Sequence, residues 1–69
     1  MKFLRIEPSV YYNASFIKSI VEAPYLGMRK QLIVSIENRD IKFMMSAADF
    51  LRELDSDKTI IDLTAYYQH

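Results

Sequence analysis

Gln31-Leu32-Ile33-Val34-Ser35-Ile36-Glu37-Asn38-Arg39-Asp40-Ile41-Lys42-Phe43-Met44-Met45 decides the fold. Its first half alternates, so that Leu32, Val34 and Ile36 share one face of a strand. Its second half alternates again, with Ile41, Phe43 and Met45 on one face. Two such runs separated by a few polar residues read as a β-hairpin. Asn38-Arg39 is the expected two-residue turn. Because Arg39 does not adopt a positive φ cheaply, Asn38-Arg39-Asp40 is the longer alternative.

Downstream, Ser46-Ala47-Ala48-Asp49 opens a helix. The Ser46 hydroxyl can accept from the amide of the third helical residue, and Asp49 can reach back while sitting at the positive end of the helix dipole. Phe50, Leu51 and Leu54 supply an apolar stripe, and Asp55-Ser56-Asp57-Lys58 ends the helix after Leu54. Residues 59–67 fit two patterns. Ile61, Leu63, Ala65 and Tyr67 alternate as a strand, whereas Ile60, Leu63, Thr64 and Tyr67 fit a helix capped by Ser56. The β-branched content favours the strand.

Upstream, Phe3-Leu4-Arg5-Ile6 reads as a short strand stopped by Pro8, which cannot donate to a ladder. Val10-Tyr11-Tyr12 continues the sheet after a kink, and Asn13-Ala14-Ser15 breaks it. Residues 16–22 favour another strand. Pro24-Tyr25-Leu26-Gly27-Met28 is a loop. The expected fold is therefore a single α+β domain: a small antiparallel sheet of four or five strands, including a hairpin, with one short helix packed on one face. Leu4, Ile6, Phe16, Ile20, Leu32, Val34, Ile36, Ile41, Phe43, Phe50, Leu51 and Leu54 are the expected core.

Chemistry is constrained by what 69 residues omit. There is no cysteine, and the one histidine is His69. No thiolate zinc site is available, and nucleophilic catalysis lacks its usual base. The carboxylate groups Glu53/Asp55/Asp57 and Glu37/Asp40 fall at a helix end and a turn, where carboxylates are ordinarily solvated. They also lack the spacing and central glycine of a calcium loop. One glycine, Gly27, does not make a phosphate-cradling loop. No catalytic, cofactor-binding or metal-binding residues are assigned, and the chain is expected to be non-enzymatic.

Nine basic residues balance nine acidic ones, which argues against a partner held by bulk charge. Met1-Lys2-Phe3-Leu4-Arg5-Ile6-Glu7 is too short and charged for a signal peptide, and no apolar run approaches a membrane span. A cytoplasmic protein without a membrane partner is expected. A domain of this size buries only ~60% of its unfolded surface and commonly needs support. With disulfides and metal excluded, oligomerisation is the remaining support.

Tyrosine and methionine are enriched in interface cores. Tyr25, Leu26, Met28, Met44, Tyr66 and Tyr67 are accordingly the candidate partner-binding residues, with Met45 part of the same surplus. The hairpin or the C-terminal strand would offer an edge for pairing with a second chain. The expected partner is a protein or a second copy, a homodimer in the simplest form. The alternative is a nucleic-acid-binding accessory protein of a phage or mobile element. Its tyrosines would stack bases, and Arg29, Lys30, Arg39 and Lys42 would meet phosphates.

Residues 12–54 resemble the short FlbD-type flagellar proteins. The likeness runs through Asn13, Phe16, Ile17 and Ile20, then Leu32, Val34, Ile36, Glu37, Asn38, Arg39, Ile41, Phe43 and Met44, and then Ser46, Asp49, Phe50 and Leu51. Similar layouts occur in uncharacterised phage and mobile-element proteins. Arg39 stands where that family has a turn glycine. The resemblance implies a strand, hairpin, helix order and a non-enzymatic role linked to motility regulation or motor function.

Overall fold

The structure is a computed structural model that describes residues 1–23 and 31–68. The chain runs β1 (Phe3–Glu7), β2 (Val10–Asn13), a 3-10 turn (Ala14–Phe16), β3 (Ile17–Ala23), β4 (Gln31–Ile36), β5 (Arg39–Phe43), α1 (Ala47–Leu54) and β6 (Ile60–Asp62). It is an α+β arrangement of two three-stranded sheets and one α-helix, where one sheet of four or five strands is expected from sequence. The strand orders are β2-β1-β6 and β3-β4-β5.

The split has a local cause. Asn13 caps the 3-10 turn, its Oδ1 accepting from the Ser15 amide at 2.9 Å and the Ser15 hydroxyl at 2.7 Å. This Asx turn competes with the ladder and ends β2, as the Asn13-Ala14-Ser15 break predicts. The turn also shifts the parity of the next strand. Ile17, rather than Phe16, packs on the core, and Phe16 is left 55% exposed against expectation.

Pro8 does more than stop β1. Glu7 pairs with Val10 across Pro8-Ser9, so β1 and β2 form a second hairpin. Proline holds φ near −65°, which rules out the left-handed turn that matches strand twist. A bulge between Arg5 and Glu7 absorbs the mismatch. The Arg5 guanidinium holds the corner, donating to the Pro8 carbonyl at 3.2 and 3.3 Å.

The central hairpin sits one residue earlier than sequence suggests. Ile36 pairs with Arg39, so the turn is Glu37-Asn38 and Arg39 opens the return strand. Glu37 and Asn38 have φ of 50° and 68°, the signature of a type I′ turn whose twist suits the strands. The alternation of β4 then holds throughout. Leu32, Val34 and Ile36 are fully buried, facing Phe43, Ile41 and Arg39.

The helix begins as its sequence dictates. The Ser46 hydroxyl accepts from the Asp49 amide at 3.1 Å. The reciprocal arm differs: the Asp49 carboxylate pairs with Arg52 at 3.1 Å, and the Ala47 amide is met by Glu22 Oε1 of β3 at 3.0 Å. At the other end the Lys2 ammonium donates to the Leu54 and Ser56 carbonyls. A cation there satisfies orphan acceptors and complements the dipole. Ala47, Phe50 and Leu54 form the packed stripe, so Leu51 is turned aside and is 52% exposed rather than core. Phe50 stacks on Phe43, with ring centroids 5.9 Å apart.

The tail is a strand only over Ile60–Asp62, and it lies parallel to β1, so the first sheet is not purely antiparallel. Asp62 ends it: Oδ1 accepts from the Thr64 amide at 3.0 Å and the Thr64 hydroxyl at 2.7 Å. The amides of Tyr66 and Tyr67 then both donate to the Leu63 carbonyl. After this helical turn the chain reaches the outer side of β5. There the Met44 amide donates to the Tyr66 carbonyl, the Gln68 amide donates to the Lys42 carbonyl, and Tyr67 bridges Phe43. One C-terminal segment thus joins an edge of each sheet. Leu4, Ile6, Leu32, Val34, Ile36, Ile41, Phe43, Met45, Phe50, Ile61 and Leu63 form one buried cluster. Met45, Ile61 and Leu63 are additions to the expected core, and Ile20 and Leu54 pack on its margin.

Candidate interaction surface

Two places leave side chains or backbone groups accessible on the surface of the described residues. The first is the flank of α1. Asp49, Arg52 and Glu53 project from one side of the helix, and Tyr66 reaches them across Met45. Together they line an open cleft of about 230 Å³. Its floor is a thioether, its wall a tyrosine ring 44% exposed, and its rim carries both signs of charge. The cleft thus brings an apolar, an aromatic and charged side chains to one place.

The second place is the outer side of β3. The type I′ turn fixes which backbone groups face where. Ile36 and Arg39 are the hydrogen-bonded pair that closes it, so residues 32, 34 and 36 bond to β5 while 31, 33 and 35 bond to β3. Their β3 partners are Ala23, Val21 and Ser19. Ile20 therefore turns its N–H and C=O away from β4, toward a side of β3 where no strand lies among the described residues. Val21 stands on the outward face and is 53% exposed.

The sequence-derived candidates divide accordingly. Met44, Tyr66 and Tyr67 come together along β5. Tyr66 is exposed and Met44 half-buried. Tyr67 is half-buried and packs its ring 6.2 Å from Phe43, so part of it is spent on the core. Met45 is buried. Tyr25, Leu26, Met28, Arg29 and Lys30 lie outside the described residues. Arg39 and Lys42 are not brought together. They fall on opposite faces of β5, and Arg39 Nη1 donates to the Tyr12 hydroxyl at 3.1 Å. The expected edges also change: the C-terminal segment covers β5 rather than offering a long edge of its own.

The electrostatics are mild. Arg5 on β1 pairs with Asp62 on β6 at 3.2 Å. The Asp62 carboxyl lies below the usual carboxylate range, first because of the Thr64 backbone and hydroxyl bonds and then because of Arg5. Among the described residues no three His, Cys, Asp or Glu side chains gather to hold a metal ion. No helix among them is long and apolar enough to cross a membrane. Comparison with protein-family models, curated proteins and solved structures gives no match for the chain.

Proposed function

We propose that this chain is a small non-catalytic interaction or regulatory module that works by binding a protein, and that it self-associates. The observation that carries the reading is the apolar surface left over once the core is complete. Tyr11, Phe16, Val21, Leu51, Ile60 and Tyr66 are each more than two-fifths exposed in a chain of 69 residues. They are not all scattered: Phe3 and Ile60 are neighbours across β1 and β6, and Val21 lies beside Ile33 across β3 and β4. Contiguous apolar faces of this kind mark contact surfaces. The balanced charge and the resemblance to FlbD-type proteins point the same way.

The test is a nuclease-treated pull-down with the tagged chain, run beside light scattering of the purified protein. A discrete protein partner or a concentration-dependent dimer supports the reading. A strict monomer that captures no protein overturns it. Recovery that vanishes with nuclease, together with binding to single-stranded oligonucleotide at about 50 mM salt, would transfer the assignment to nucleic acid.

A further inference from the structure

We infer that the outer edge of β3 is the self-association surface, and that a second copy of this chain pairs there antiparallel about a two-fold axis at Ile20. The inference rests on the proposed self-association and specifies its site. Among the described residues every other strand edge is short or covered. β6 has three residues and β2 four, while β5 is lined by the C-terminal segment. β3 is the longest strand, with seven residues, and Ile20 presents its N–H and C=O outward at its centre. An edge of this length is a template for a further strand.

Charge chooses both the occupant and the register. Around β3 the order is Ile17-Lys18-Ser19-Ile20-Val21-Glu22-Ala23. Antiparallel pairing that sets Ile20 opposite its own copy sets Lys18 opposite Glu22, twice by symmetry. Moving the axis to Ser19 or Val21 loses both pairs. Both side chains are exposed. Among the described residues Lys18 is held by a 3.5 Å contact from its ammonium to Asn38 Oδ1, long enough for the side chain to turn. The Glu22 carboxylate accepts from the Ala47 amide and has a further contact within the chain, and the several acceptor positions of its two oxygens let a cross-strand ammonium join these partners. The bulge at Lys18 is accommodated by its long stem. The resulting ladder places Val21 across from Ser19 of the copy, and makes the sheet β3-β4-β5 continuous through the axis with its copy.

The chain lacks cysteine, so a single introduced thiol reports the register without background. Residues opposite each other in such a pair lie within reach of a disulfide. The full chain carrying Ile20→Cys should cross-link to itself in a glutathione buffer, and Val21→Cys, two positions out of register with itself, should not. In parallel, light scattering of the cysteine-free protein across roughly 10 µM to 1 mM spans the relevant affinities. Lys18→Glu should weaken the dimer at least about tenfold, since two attractive cross-strand pairs become repulsive. Adding Glu22→Lys to it should restore association. Circular dichroism of each variant separates lost pairing from lost folding, and the double variant retains both charges if the single one unfolds. A dimer indifferent to Lys18→Glu, or equal cross-linking at positions 20 and 21, overturns the edge assignment and leaves self-association standing. A monomer at 1 mM that still captures a protein from lysate overturns this dimer and keeps the module reading.

Discussion

The turn at Glu37-Asn38 sets the register of β4 against β5, and it yields opposite signs for two neighbouring substitutions. Glu37 has φ of 50°, in the left-handed region where a side chain beyond Cβ costs about 1 kcal/mol. Asparagine tolerates that region because its short amide bonds locally. Glu37→Asn should therefore stabilise the protein by about 0.5–1 kcal/mol. Arg39 is the first residue of β5, paired with Ile36. Arg39→Gly puts glycine into a strand, costing about 0.5–1 kcal/mol in backbone entropy, and removes the 3.1 Å bond to the Tyr12 hydroxyl. Urea unfolding followed by circular dichroism reads both. With a slope of roughly 1 kcal/mol/M for a domain this small, the midpoint should rise by about 0.5–1 M for the first variant and fall by a similar amount for the second. Stabilisation by Arg39→Gly, with no gain from Glu37→Asn, would place the turn one residue later. That register would set Ile41 opposite Ile36 and Phe43 opposite Val34, and refute the pairing of β4 with β5 as described.

Phe50→Ala removes the helix from its stack on Phe43 and should cost about 3–5 kcal/mol, most of the stability of a domain this small; loss of the cooperative thermal transition is the readout. Lys2→Ala leaves the Leu54 and Ser56 carbonyls without their ammonium donor and should cost about 1 kcal/mol, seen as a lower melting temperature with unchanged helix content at 20 °C. Asp62 has a lowered folded pKa, so its contribution is present above the unfolded value of 3.8 and disappears as pH falls through the folded value below it. Stability measured from pH 5 down to pH 2 should drop less steeply in Asp62→Asn than in the parent, and parallel curves would count against the Thr64 and Arg5 contacts as the cause.

What was legible in the sequence is what local periodicity controls. The alternation of Leu32, Val34 and Ile36 and of Ile41 and Phe43, the Ser46 cap, and the strand at Ile61 all follow from spacing within one element. What was not legible depends on where elements meet. Nothing local to Ile60–Asp62 says that it enters beside β1 in parallel, because the direction is imposed by α1 and its connections. Phe16 and Leu51 look like core by hydrophobicity, but a 3-10 turn and the position of Phe50 rotate them outward. Tyr67 shows the same limit at the candidate surface: in sequence it is one of a tyrosine pair, and only the bridge to Phe43 separates the packed ring from the exposed one at Tyr66.

The handling of sheet edges connects fold to function. A six-stranded arrangement in two separate sheets creates four edges, and an unprotected edge invites pairing with any other chain. This chain covers one edge with residues 66–68, and two others belong to the short strands β2 and β6. Among the described residues the remaining edge, on β3, has neither protection. It carries one positive and one negative charge, four residues apart and symmetric about Ile20. Charges of one sign would repel a second copy, whereas this spacing makes the edge complementary to itself and to few other sequences. A small domain without disulfide or metal support gains most from a partner that extends its sheet, and its own copy is always present at matching concentration.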